Sequence, residues 1–121
     1  MTWKVITRLR FEQWLCLQET GCQEKLLAAL ALLNEFGPHL PRPYSDTVKR
    51  SRYRNMKELR VQYRTRPIRI FYAFDPRRQA IVLYAGDKSN DKLFYEQAVS
   101  CADAEYERWL TNMEKKHENA G

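Results

Sequence analysis

Three stretches in the middle of the chain place apolar and polar residues in the alternation that is typical of β-strands. In residues 57–64 (KELRVQYR) every second side chain is apolar, and residues 67–74 (PIRIFYAF) continue this pattern with apolar residues on both faces. Residues 80–86 (AIVLYAG) are apolar on both faces, which predicts a strand inside the sheet. Residues 3–7 are short and β-prone, and they predict an opening or edge strand.

Apolar residues spaced three and four positions apart predict helices elsewhere in the chain. Two helices are predicted over residues 8–18 and 21–36, and an apolar stripe from Asp91 onward predicts a third, long helix. Residues 37–56 contain three prolines and no sustained pattern, which predicts a loop. The sequence therefore predicts the order β-α-α-β-β-β-α.

This order is typical of a small α+β fold, and we expect an antiparallel sheet with the helices packed against one face. The 121 residues suit a single domain, so residues 1–121 are assigned to one domain whose last few residues form a frayed tail. No apolar run approaches the ~20 residues that cross a bilayer. The first ten residues also lack an apolar stretch of signal-peptide length, so we expect a cytoplasmic protein.

The net charge of +6 is concentrated in the central part of the chain. Residues 49–79 hold eleven basic side chains, nine of them arginine, against only two acidic ones. Arginine is suited to bidentate contact with phosphate, so this distribution favours a polyanion as ligand, with a solvated surface as the alternative. Three cysteines without paired spacing and two histidines favour neither a disulfide framework nor a zinc site, and we expect no cofactor.

The strand alternation places Arg60 and Arg69 on one face of neighbouring strands, and we expect that face to be open to solvent. Two adjacent guanidinium groups repel each other unless an anion or a carboxylate lies between them. Glu58 lies on the same face and could act as counterion or as base, with a structural salt bridge as the alternative. Lys88 adds a cation where the chain leaves the sheet. This pattern favours phosphate binding.

The segment NMKELRVQYRTRPIRIFYAFDPRRQAIVLYAGDKS, followed by KLFYEQAVSCADAEYERWL, resembles toxins of bacterial type II toxin–antitoxin systems. The family is the RelE/ParE superfamily, in its phage-associated HigB-type branch. The matching features are K-E-L-R at Lys57–Arg60, R-I-F-Y-A-F-D at Arg69–Asp75, G-D-K at Gly86–Lys88, and F-Y at the start of the last helix. The resemblance covers about residues 35–112 and implies a RelE-like fold.

The resemblance implies a metal-independent endoribonuclease that cleaves messenger RNA, often on the ribosome, inhibits translation, and is silenced by a helix-turn-helix antitoxin. Arg60 and Arg69 match strand arginines of the family and would stabilise the phosphate. Lys88 would add positive charge or donate a proton. Glu58 and Tyr95 are candidates for acid–base roles, and for Tyr95 the alternative is a core aromatic residue.

A basic loop precedes the strands and interleaves its cations with one aromatic residue. We expect this loop to contact the RNA backbone and to stack on bases. Its candidate residues are Lys49, Arg50, Arg52, Tyr53, Arg54 and Lys57. Two other interpretations stay open: a ParE-like toxin that inhibits DNA gyrase by binding, without RNA cleavage, and a basic RNA-binding domain without toxicity.

Overall fold

A computed structural model describes residues 2–89 and 93–120, the last five of these as helix backbone only. Its elements follow the chain in the order β1 Val5–Thr7, α1 Leu9–Cys16, α2 Thr20–Phe36, a 3₁₀ turn Gly37–His39, β2 Ser45–Thr47, β3 Met56–Tyr63, β4 Arg66–Phe74, β5 Ala80–Asp87 and α3 Phe94–Ala120. None of the described helices is long and apolar enough to cross a membrane.

The alternating stretches are strands and the apolar stripes are helices, so these predictions are confirmed to within a few residues. The predicted helical start at Asp91 lies outside the described residues, and α3 is described from Phe94. The interval 37–56 is not only a loop, because Ser45–Thr47 forms the short strand β2 beside β3. Three residues are too few to show a period, which is why the predicted order lacked this strand.

The five strands form one mixed sheet in the order β1-β5-β4-β3-β2. The prediction of a wholly antiparallel sheet is wrong at one edge, where β1 pairs with β5 in parallel. The three strands β3, β4 and β5 are joined by short connections that reverse the chain. Two helices and three intervening strands separate β1 from β5, and so long a connection permits parallel pairing.

Helices cover both faces of the sheet, which corrects the expectation that they cover one. α1 and α2 pack over one face through a core that includes Phe11, Leu26 and Ile70. α3 packs over the opposite face, where Phe71 and Leu83 join its buried side chains. The two faces are both apolar because β4 and β5 carry buried residues at successive positions.

Gly86 permits the close approach of α3 to the sheet. It lies opposite Arg69 in the pairing of β4 with β5. A Cβ at this position would meet Phe94 Cε1 at 2.9 Å, so a larger residue would displace the first turn of the helix. This packing brings Tyr95, the next residue of α3, to the face of the sheet that carries Arg69.

Candidate functional site

Arg60 and Arg69 are directly paired across β3 and β4, as the strand alternation predicts. The expectation that both project into solvent is wrong for Arg69. Its side chain is 12% exposed, whereas that of Arg60 is 35% exposed. Arg69 donates a hydrogen bond to Tyr95 in the first turn of α3, whereas the side-chain partners of Arg60 lie on β2 and β3. Arg60 is therefore the accessible cation of the pair.

Glu58 lies between the two arginines and is almost completely buried, with a 6% exposed side chain. Its Oε1 lies 3.4 Å from Arg60 Nε, and its Oε2 lies 4.0 Å from Arg69 Nε. Oε2 accepts no hydrogen bond from the part of the chain that the structure describes. A buried carboxylate oxygen without a donor is unusual, and it leaves the Glu58 carboxylate with an unused acceptor position.

Tyr95 contacts the site from α3 through its hydroxyl group, which accepts a hydrogen bond of 3.2 Å from Arg69 Nε. Burial raises the pKa of Tyr95, the bond from Arg69 lowers it, and the nearby carboxylate of Glu58 raises it again, with a net increase. The phenol is therefore protonated at neutral pH and can donate a proton. Lys88 Nζ lies 5.9 Å from the centre of the same ring.

The structure adds Asp46, a residue that the sequence did not indicate. It lies on β2 opposite Glu58, and its Oδ2 is 3.1 Å from a terminal nitrogen of Arg60. A hydrogen bond from Arg42 and another from the Thr47 amide hold the pKa of Asp46 down, at about 2. A carboxylate in a proline-rich loop gives no sequence signal of this role, because the strand that positions it was not predicted.

These groups open into a cleft of about 280 Å³, which we call the arginine cleft. Its lining residues are Thr47, Val48, Lys49, Arg50, Glu58, Arg60 and Tyr95. Five of the predicted site residues from β3, α3 and the basic loop thus meet there, although they are up to 46 positions apart in sequence. Lys49 and Arg50 are exposed at its rim.

A second cleft of about 430 Å³ continues along α3, and we call it the α3 cleft. It shares Arg50 and Tyr95 with the arginine cleft, so the two clefts adjoin each other. Its lining residues are Arg50, Arg52, Tyr95, Glu96, Val99, Ser100, Asp103 and Ala104.

Asp103 of α3 fixes the basic loop against the helix. Its two carboxylate oxygens accept hydrogen bonds from the Ser51 hydroxyl (2.5 Å) and the Arg52 amide (3.1 Å). The side chain of Arg52 also pairs with Glu107 at 2.6 Å. These contacts hold the loop in place and leave Lys49 and Arg50 without an ion pair among the described residues.

The other predicted RNA-binding residues occupy different environments. Tyr53 packs edge-to-face on Tyr106, with ring centres 4.8 Å apart, and belongs partly to the core beneath α3. Arg54 is exposed. Lys57 lies opposite Tyr72 and therefore on the α1–α2 face of the sheet, away from both clefts. The structure brings Lys49, Arg50 and Arg52 to the clefts, but not Lys57.

The arrangement combines accessible cations, one buried carboxylate with an unoccupied acceptor position, and a protonated phenol. Such a set can bind a phosphodiester and can accept and donate protons on either side of it. Among residues 2–89 and 93–115, no three side chains of the metal-binding types lie close enough together to hold a metal ion.

Comparison with known proteins gives three matches. Residues 13–107 match the family described as phage-derived protein Gp49-like (DUF891). The chain is 40% identical over 109 residues to a Mycobacterium tuberculosis protein named "Putative toxin HigB3", an alignment that covers 89% of this chain and 94% of that protein. It is also 40% identical over 107 residues to "Putative toxin HigB2" from the same organism, covering 87% of this chain and 53% of that protein.

Proposed function

This chain belongs to the phage-derived Gp49-like protein family, and from that membership we propose that it is the toxin of a type II toxin–antitoxin system that cleaves messenger RNA. The similarity to two proteins named as toxins supports the toxin role. One observation carries the proposed chemistry: Glu58 lines the arginine cleft between Arg60 and Arg69, and its buried Oε2 accepts no hydrogen bond from the described residues.

In this proposal the scissile phosphate binds in the arginine cleft. Arg60 contacts the phosphate directly, because it is the accessible member of the arginine pair. Lys49 and Arg50 neutralise neighbouring phosphates from the rim of the cleft. Arg69 is a positioning residue that donates a hydrogen bond to the Tyr95 hydroxyl and lies next to Glu58. Preorganised cations of this kind stabilise the charge that develops on the phosphorane.

The proposed reaction uses the 2′-hydroxyl of the RNA as its nucleophile and therefore requires no metal-bound water. The Glu58 carboxylate accepts the proton of this hydroxyl as the 2′-oxygen forms its bond to phosphorus. The bond from phosphorus to the 5′-oxygen then breaks, and Tyr95 or Lys88 donates a proton to the leaving oxygen. The products are a 2′,3′-cyclic phosphate and a 5′-hydroxyl end.

The same proposal includes a helix-turn-helix antitoxin as partner and the ribosome as the site at which messenger RNA is met. Both follow from the resemblance to the HigB-type branch. This substrate places the proposed activity in the cytoplasm.

Induced expression followed by primer extension on cellular messenger RNA tests the proposed function. We expect cuts at defined positions within reading frames, and Glu58→Gln should reduce them at least about 10²-fold, because it removes the proton acceptor with little change in volume. Glu114→Gln, an exposed substitution on α3 outside both clefts, is the matched control. Intact messenger RNA together with DNA damage and arrested replication would favour the gyrase-binding alternative.

The metal requirement is tested separately on naked RNA, because ribosomes themselves need magnesium. At high toxin concentration, cleavage of a short RNA should persist in EDTA and should yield cyclic phosphate ends. Loss of cleavage in EDTA that added magnesium restores would contradict the proposed mechanism.

A further inference from the structure

The α3 cleft has no role in the chemistry proposed above, although it adjoins the arginine cleft and shares Arg50 and Tyr95 with it. We propose that the α3 cleft is a base-recognition subsite that binds a guanine next to the scissile phosphate. The inference rests on the proposed function, since it assumes that single-stranded RNA occupies the arginine cleft.

The position of the α3 cleft suits a nucleotide that follows or precedes the reacting one. Its volume of about 430 Å³ lies within the ~300–1,000 Å³ that is usual for small-ligand pockets. A phosphate at Arg60 and Glu58 would leave the neighbouring nucleotide to pass Tyr95 and enter this cleft. The bases of single-stranded RNA are unpaired, so their edges are available for hydrogen bonds from protein side chains.

The lining of the α3 cleft matches the two kinds of surface that a base presents. Val99 and Ala104 provide apolar contact for the face of the ring, and the Tyr95 ring stands at the boundary between the clefts. Arg50, Glu96 and Ser100 supply polar groups for its edge. All three are exposed on the cleft surface.

The charged groups that are available for recognition are one cation and one anion. Asp103 is already occupied by the Ser51 hydroxyl and the Arg52 amide, and the Arg52 side chain pairs with Glu107. Arg50 makes no ion pair among the described residues, and Glu96 likewise has none there. A guanidinium and a carboxylate therefore remain to bind a base.

Guanine is the base that satisfies both of these groups. Its O6 and N7 atoms accept a bidentate pair of hydrogen bonds from arginine. Its N1–H and N2–H₂ groups donate two parallel hydrogen bonds to a carboxylate. Adenine and cytosine each offer a carboxylate only one exocyclic amino group. Uracil offers only its N3–H, which lies between two carbonyl oxygens that a carboxylate would repel. Glu96 is thus assigned as the residue that selects guanine.

The test measures binding without cleavage, by using short 2′-O-methyl RNA oligonucleotides in which the nucleophile is blocked. Each oligonucleotide carries a fluorescent label and differs in one base beside the central phosphate, and affinity is read by anisotropy. We expect guanine at one flanking position to bind about tenfold more tightly than the other three bases. Replacing that guanine by inosine, which lacks the N2 amino group, should remove a large part of this preference.

Two variants link the preference to the residue. Glu96→Gln should bring the affinities for guanine and inosine to within about twofold of each other, because the amide cannot accept both donor groups. Glu114→Gln lies on the same helix outside the cleft and should keep the full guanine preference.

Equal affinity for all four bases in the unaltered protein would overturn the guanine subsite, and so would a full guanine preference that survives Glu96→Gln. The proposed ribonuclease activity fails in a different way. A protein that prefers guanine in the binding assay but leaves unmodified messenger RNA intact would retain the subsite and lose the proposed function.

Discussion

Replacing Arg69 by methionine should destabilise the fold by far more than a surface substitution, because it leaves a buried carboxylate with one cation fewer. Arg69 donates hydrogen bonds to the Tyr95 hydroxyl at 3.2 Å and to the Ile68 carbonyl at 3.0 Å. It also forms an ion pair with Glu58 Oε2, at 4.0 Å. Methionine keeps most of the side-chain length and removes only these polar contacts.

The magnitude follows from the burial of the two side chains, which are 12% and 6% exposed for Arg69 and Glu58. Removing one partner of a buried ion pair costs about 3–5 kcal/mol. Glu58 retains Arg60 at 3.4 Å, so we expect a value near the lower end, about 3 kcal/mol. For a chain of this length that corresponds to a decrease in melting temperature of about 10 °C.

A second substitution shows whether the unpaired charge causes this loss. Glu58→Gln in the Arg69→Met background removes the buried charge and should restore about 2 kcal/mol of the free energy of unfolding. Independent sites would not show such a gain. Arg60→Met serves as the comparison. Its side chain is 35% exposed, so water replaces part of its interaction and the loss should be only about 1 kcal/mol.

Urea denaturation of four variants, which are Arg69→Met, Glu58→Gln, the double variant and Arg60→Met, gives their free energies of unfolding for comparison with the unaltered protein. The comparison holds where the denaturant slopes are equal. If the free energy of unfolding of Arg69→Met lay within about 0.5 kcal/mol of that of the unaltered protein, Arg69 would be behaving as an ordinary surface residue. If the double variant were as unstable as Arg69→Met alone, the loss would come from the contacts with Tyr95 and Ile68 rather than from the buried charge of Glu58. Either result would refute the reasoning.

Three further predictions follow from the same contacts. Replacing Lys49 and Arg50 together by alanine should flatten the dependence of log affinity for RNA on log salt by about 1.4, at ~0.7 per phosphate contact, whereas the exposed Arg77→Ala should leave the slope unchanged. Burial raises the pKa of Tyr72 to about 12, so between pH 10 and 12 the unfolded chain loses this proton while the folded protein keeps it. The free energy of unfolding should therefore fall by about 2–3 kcal/mol across this range. Denaturation of Tyr72→Phe should show a correspondingly weaker decline. Tyr95→Phe should lower the single-turnover cleavage rate about 10²-fold at neutral pH, and an unchanged rate would remove this hydroxyl from proton transfer.

The local elements of this fold can be predicted from the sequence because their periods are short. The alternation of apolar residues predicts β3, β4 and β5 and pairs Arg60 with Arg69 on one face. The stripe of apolar residues in α3 likewise predicts which side of the helix is buried. These are properties of neighbouring residues, and the charge on each side chain is known from the sequence itself.

The surroundings of the candidate site could not be predicted in the same way. A period of two shows which side chains share a face of a strand, but it does not show what covers that face. For Arg69 the difference lies in α3, which packs on the face that was expected to be open. Lys57 differs from Arg69 in this respect, because the alternation alone places it, one position from Glu58, on the opposite face of β3.

What the sequence by itself determined is the set of elements, the basic character of the central segment, and the arginine pair. Only the tertiary structure decided that Glu58 is buried between the arginines, that Asp46 joins them from β2, and that Tyr95 closes the site. The physical reason is that Asp46 and Tyr95 contact arginines that lie 14 and 26 positions away in sequence. Their geometry depends on how the helices and strands pack, which no local pattern of side chains encodes.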